Sequence, residues 1–153
     1  MEGQSSLQQI SMASKVGRVL LNCLIAILCV AGIVVASLAL REHYNTGVSP
    51  CSVNDVWDCG TVNHSPYAAI NGVPVAAIGI VGYGLLAILV WRFPRITAAG
   101  AFLGLIFSLR LTWIEWKILL VWCLYCVSSQ IIIAFIFLLT LIRARFLRQE
   151  RTN

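Results

Sequence analysis

Four long apolar runs dominate the pattern of the chain, separated by short polar or charged punctuation. The first lies between Arg18 and Arg41 and contains LLNCLIAILCVAGIVVASLAL. At about 1.5 Å per helical residue, a run of this length spans the hydrocarbon core of a bilayer. It is also longer than the roughly 7–15 apolar residues of a cleaved signal peptide. The second run covers 73–91, the third 96–114 and the fourth 118–142. The pattern therefore predicts an all-α fold, an integral membrane four-helix bundle. Its connections are an outward-facing cysteine loop, a basic turn at Arg92-Phe93-Pro94-Arg95 and a hydrophilic link at Glu115-Trp116-Lys117.

The polar stretches divide the chain. Residues 1–17 read as a disordered cytoplasmic tail, 18–142 as the membrane domain and 143–153 as a basic cytoplasmic tail. The longest polar stretch, 41–72, holds Cys51, Asp55, Trp57, Asp58, Cys59, His43 and His64. Near its end, residues 64–70 predict a short surface helix. Ser65 is a suitable N-cap and Pro66 a suitable first helical residue. Gly72 ends that helix and Pro74 opens the second span.

Composition agrees with lipid as the surrounding solvent. Charged residues make up 11% of the chain and apolar residues 59%, against about 25% charged in soluble domains. The net charge of +5 is concentrated rather than spread. Lys15, Arg18, Arg92, Arg95, Arg143, Arg145, Arg148 and Arg151 all fall on one side of the four-span topology, and Arg41 and Lys117 on the other. By the positive-inside rule both termini are cytoplasmic and the 41–72 loop faces outward. No basic stretch interleaves with aromatics, so nucleic acid is not an expected partner. Trp113, Trp116 and Trp122 collect at the outer ends of spans three and four, as an interfacial belt does.

Candidate chemistry rests on the six cysteines. Cys123-Leu124-Tyr125-Cys126 sits at the outer start of span four. Residues three apart share a helix face, within disulfide reach. A helix N-terminus favours thiolate over thiol, and thiolate is the reactive form. Cys51 and Cys59 lie on the same membrane side, where they can serve as a structural staple or as a second dithiol that exchanges with the first. Cys23 and Cys29 lie in span one, point to different faces and read as packing residues. Arg110 lies in span three and reads as snorkelling to the interface near Glu115, with stabilisation of a thiolate or quinol as its functional alternative. His64 reads as a solvated loop residue, with a base beside Cys59 as its functional alternative. A metal site using the cysteines and His43 or His64 lacks the second CxxC of a usual zinc centre.

Taken together, Cys51-x7-Cys59, Ser65-Pro66-Tyr67-Ala68, Gly72-Val73-Pro74, Gly79, Tyr83 and Cys123-x2-Cys126 occur in an order that resembles the vitamin K epoxide reductase family, and its bacterial members most. The resemblance covers about 18–142. It implies a four-helix bundle around a quinone, ubiquinone or menaquinone, near the outer surface. It implies that Cys51 and Cys59 are a loop shuttle pair, that Cys123 exchanges with the loop and that Cys126 passes electrons to the quinone. Ser65, Tyr67, Pro74, Tyr83 and Gln130 join Cys126 as the residues expected around the quinone. Val75 and Gln130 stand where vertebrate members carry an asparagine and a tyrosine, which favours quinone reduction over epoxide reduction.

The expected function is that of a multi-pass enzyme of the bacterial inner membrane. It oxidises a separate thioredoxin-like protein outside that membrane, reduces a quinone and supports disulfide formation. The alternatives are a vitamin K or quinone epoxide reductase, and a non-catalytic membrane protein with structural disulfides. The topology makes its own prediction. In right-side-out vesicles, a membrane-impermeant maleimide is expected to label a cysteine placed at Val53 in the 41–72 loop. A cysteine placed in the Arg92–Arg95 turn should react only after permeabilisation, and labelling of that turn from outside would invert the orientation.

Overall fold

The computed structural model describes the backbone of residues 2–152, with the side chains of residue 12 and of residues 15–145. In chain order the elements are α1 (Glu2–His43), α2 (Cys59–Asn63), a 3-10 turn (Pro66–Ala68), β1 (Ala69–Ile70), β2 (Val73–Pro74), α3 (Val75–Arg92), α4 (Pro94–Ile114), a π-turn (Glu115–Leu119) and α5 (Leu124–Thr152). Four of these helices contain segments long and apolar enough to cross a bilayer: Lys15–His43, Val75–Arg92, Pro94–Leu119 and Leu124–Arg145. Four crossings leave both ends of the bundle's chain on one side and the 44–74 loop on the other.

Most large apolar side chains face outward, as expected when lipid replaces water, and the inward stripe is narrow. Ile25, Cys29, Tyr83, Leu86, Val90, Ala101, Ile133 and Ile136 form the buried core. The helices approach closely where residues are small, as membrane packing favours. At Gly32 of α1 a side chain would begin 2.6 Å from the Tyr83 ring of α3. Cys29 is buried in this core, as a packing residue is, while Cys23 is exposed on a different face of the same helix. At the end of the bundle opposite the cysteine loop, Arg143 of α5 is buried and donates through Nη1 to Val90 O of α3 at 2.6 Å. It thereby satisfies a carbonyl in the last turn of α3.

Several boundaries differ from the sequence expectations. The backbone of 2–17 continues α1 as helix instead of forming an irregular tail, and α5 likewise runs on to Thr152. Propagation from an established helix fixes one residue for each bond gained and avoids the cost of nucleation. The short helix expected over 64–70 is a single 3-10 turn followed by a hairpin. Asn71 and Gly72 both have positive φ, 50° and 82°, as an Asn-Gly type I′ turn requires. That turn pairs Ile70 with Val73 and draws Ala69-Ile70 into extended backbone. Ser65 stands at the N-cap without a capping bond, its Oγ donating instead to Val62 O. The helical piece of the loop lies earlier, at α2, where the Asp58 carboxylate accepts from Thr61 N–H at 3.1 Å.

The fourth span also starts later than expected. Glu115-Trp116-Lys117 is not a polar turn between two helices. It widens the end of α4 into a π-turn, which closes on Leu120 in left-handed backbone. Three extended residues then lead into α5. Substituting Gly32→Val is expected to force Tyr83 outward and to cost about 1–3 kcal/mol, the usual range for overpacking. A lowered thermal midpoint in detergent would register it, and an unchanged midpoint would show that this contact yields freely.

Candidate active site

The loop carrying Cys51 and Cys59 is pinned to the segment preceding the CxxC by backbone pairing. Trp122 N–H donates to Val56 O at 2.8 Å and Asp58 N–H donates to Trp122 O at 3.0 Å. Trp122 is therefore held against the loop, its ring 6.5 Å from that of Trp57, rather than standing in an interfacial belt. Trp113 and Trp116 remain exposed.

Cys51 and Cys59 form a disulfide, with Cα atoms 5.5 Å apart. This disulfide and Cys123 share one buried cluster with Val62, against which Cys126 and Tyr125 pack. Cys123 and Cys126 are free thiols, Cys123 fully buried and Cys126 partly so. The sequence-predicted catalytic cysteines are thus brought together, one pair oxidised and the other reduced.

The two thiols of the CxxC face different surroundings. Cys123 Sγ accepts from the Cys126 amide at 3.4 Å, at the open N-terminus of α5, and from Asn63 Nδ2 at 3.6 Å. Hydrogen bonding from the Cys126 thiol, supported by the Cys126 and Tyr125 amides, lowers the Cys123 pKa below the ordinary thiol value, against the opposing effects of burial and of Glu115. Donors aimed at sulfur stabilise the anionic form. Cys126 instead forms part of the wall of a cavity of about 570 Å³ lined by α1, α3, α4, α5 and the loop.

That cavity has a polar head and an apolar body. His43, Asn63, Ser65, Tyr67, Glu115 and Cys126 lie at the loop end, while Leu86, Leu89, Leu103 and Phe107 line it toward the other side. Pro74, Val75 and Tyr83 also line it. A side chain built on Gly82 would meet open space there. Tyr83 presents its ring, because its hydroxyl is committed to Ser129 O and Ser129 Oγ of α5, each at 2.9 Å. A flat, polar-edged ring with an apolar tail fits this shape, and the volume is typical of a small-molecule site.

Gln130 is the exception among the expected quinone neighbours. It does not line the cavity, and its Oε1 accepts from Thr112 Oγ1 of α4. One residue beyond Ser129 on α5, it falls about 100° round the helix from the residue that meets the cavity wall. Arg110 is exposed on α4. His64 is not poised as a base at Cys59. Its ring nitrogens lie 2.7 Å from Gly60 O and 2.9 Å from Asn45 O, clamping the loop. His43 is likewise engaged, its Nδ1 2.6 Å from Asn63 O.

Two residues at the thiols escaped the sequence reading. Asn63 lies four residues after Cys59 on α2, hence on the same helix face, which is a usable signal. Glu115 reads in sequence as part of a hydrophilic link, but it is 2% exposed and its Oε2 accepts from the Cys123 amide at 3.2 Å. Its carboxylate and both CxxC sulfurs lie within 4.8 Å of one another. His64, the histidine a metal site here would call on, is not among them.

Residues 23–141 match the model of the vitamin K epoxide reductase family. The matched segment contains both cysteine pairs and extends into all four membrane helices. No curated relative matches the chain. In the reduced protein, alkylation of Cys123 is expected to have a pH midpoint below the ordinary thiol value of about 8.5. Between that midpoint and the ordinary value, Cys123 is thiolate where a free cysteine would hold its proton. Cys126→Ala should move the midpoint upward by removing the strongest stabilising contact. Mass spectrometry of the alkylated peptides measures both, and a midpoint at or above the ordinary value would contradict the assignment.

Proposed function

The chain belongs to the vitamin K epoxide reductase family, whose members are membrane oxidoreductases acting on disulfides and quinone-type molecules, and we propose that within it this protein carries electrons from an external dithiol protein to a membrane quinone. The observation that supports this reading most is the division of labour within the CxxC. Cys123 is buried against the Cys51–Cys59 disulfide, while Cys126 opens on an apolar cavity inside the bundle.

That placement supports the following sequence of transfers. A thioredoxin-like dithiol outside the membrane attacks the Cys51–Cys59 disulfide and leaves it as two thiols. The loop pair is then reoxidised by exchange with the Cys123–Cys126 disulfide, through a mixed disulfide at Cys123. Bound in the cavity, ubiquinone or menaquinone would supply a two-electron, two-proton acceptor. Cys126, Ser65, Tyr67, Pro74, Val75 and the Tyr83 ring are the chain's residues placed to hold it. The apolar lower cavity suits a lipid tail. On this reading the protein sits in the bacterial inner membrane with both termini cytoplasmic and drives disulfide formation in exported proteins.

Two features weigh against epoxide reduction as the main activity. Val75, which lines the cavity where vertebrate members carry asparagine, has no hydrogen-bonding group, and Gln130 is turned to Thr112. A purely structural role for the cysteines fits poorly with two free thiols held side by side at a helix N-terminus. The decisive experiment mixes purified protein with a reduced thioredoxin-like protein and a soluble ubiquinone analogue. Loss of oxidised quinone absorbance is expected for wild type and is expected to vanish in a still-folded Cys126→Ala variant. No turnover with several quinones, or full turnover in that variant, would overturn the proposal.

A further inference from the structure

We propose that Glu115 is a catalytic proton carrier between Cys126 and the quinone cavity. The inference rests on the thiol–quinone reading above and adds to it a group that neither the cysteine pattern nor the family resemblance assigns.

Four observations converge on this carboxyl. First, it is almost fully buried, and no Lys or Arg forms an ion pair with it among the described residues. Burying a carboxyl without a cation is costly, so it is retained where its chemistry is used. Second, it touches both the dithiol and the cavity: its oxygen lies within 4.8 Å of the Cys123 and Cys126 sulfurs, and the residue lines the cavity wall. Third, its two oxygens are not equivalent. Oε2 is held by the Cys123 amide at 3.2 Å, whereas Oε1 is buried with no hydrogen-bond partner. One oxygen fixes the orientation and the other is free for a proton. Fourth, the backbone is built to put it there. The π-turn at Glu115–Leu119 widens the helix end at this residue, and π-turns recur at functional sites.

Oxidation of the CxxC must dispose of two protons in a place with little water. The step balances with groups already present. An S–S bond forms between Cys123 and Cys126, two S–H bonds break, and two electrons pass to the quinone. The Cys126 proton moves to Glu115 and from there to the quinone being reduced. Cys123 reacts as the thiolate, its own proton already lost to water, and one proton from water completes the quinol. Glu115 ends as it began, and two thiols plus quinone become disulfide plus quinol.

Glu115→Gln keeps the size of the side chain and an acceptor for the Cys123 amide, but it cannot carry a proton. In single-turnover reduction of a ubiquinone analogue by the reduced protein, this variant is expected to be about 10²–10⁴-fold slower at neutral pH, the usual span for general acid–base catalysis. Its rate should climb about tenfold per pH unit, since thiolate must then form without the carrier. A second readout needs no quinone: alkylation of Cys126 by a small membrane-permeant reagent, followed by mass spectrometry. That rate should be nearly flat with pH in wild type and steep in Glu115→Gln. A residue that merely shaped the fold would alter rates without changing these slopes. Exchange between Cys123 and the Cys51–Cys59 pair should persist in the variant.

Should Glu115→Gln be recovered unfolded, Glu115→Asp decides the matter, expected to be slower than wild type with the wild-type slope. Variant rates within about threefold of wild type, an unchanged slope in Glu115→Gln, or a steep slope in Glu115→Asp would overturn the carrier while leaving the thiol–quinone reading intact. Absence of turnover in wild type would instead bring down that reading.

Discussion

The backbone pairing between the cysteine loop and Trp122 is the constraint on which the rest of the site depends. Two hydrogen bonds, from Trp122 N–H to Val56 O and from Asp58 N–H to Trp122 O, place the loop across the entrance to α5. The same segment starts α2, because Asp58 both donates to Trp122 and caps the next turn through Thr61. The Ser52 and Thr61 hydroxyls hold the Asp58 carboxylate below the usual carboxyl pKa range, so it is charged, and at its strongest as a cap, throughout the neutral range. From α2 follow the burial of Cys59 against Cys123, the reach of Asn63 to the Cys123 sulfur and the placement of Ser65 over the cavity.

A membrane setting makes this arrangement economical in polar groups. Lipid satisfies no hydrogen bonds, so buried polar atoms in the spans must find internal partners. Most do: Tyr83 with Ser129, Thr112 with Gln130, and Arg143 with Val90 O. Asn22 Oδ1, Glu42 Oε1, Arg143 Nε and Glu115 Oε1 do not, and of these Glu115 Oε1 stands beside the thiols at the cavity wall. An unpartnered polar atom at that spot is better understood as part of the chemistry than as part of the packing.

The two cysteines of the CxxC are chemically alike in sequence and unlike in the folded protein. Cys123 has amide donors, Asn63 and the loop disulfide around it, and the hydrogen bonds to its sulfur favour the thiolate. Cys126 has the cavity on one side and the Glu115 carboxyl nearby. Only Leu124 and Tyr125 separate the two thiols, so one turn of chain joins the loop disulfide to the cavity wall.

The sequence by itself determined that lipid surrounds this protein, that it crosses the bilayer four times, and that both cysteine pairs lie on one face. Those conclusions need only run length, charge placement and the count of crossings, which are additive along the chain. It also carried Cys126, Ser65, Tyr67, Pro74 and Tyr83 to the cavity through an ordered pattern. Only the tertiary structure decided where Glu115, Asn63 and Gln130 point. A π-turn rotates Glu115 from an apparent polar link into the core, and α2 exists because its cap is anchored to a residue more than sixty positions away. Gln130 turns to Thr112 because the packing of α5 against α4 selects which side of the helix meets the cavity. Rotation about a helix axis and pairing across a bundle are set by contacts between distant segments, and local residue patterns do not encode them.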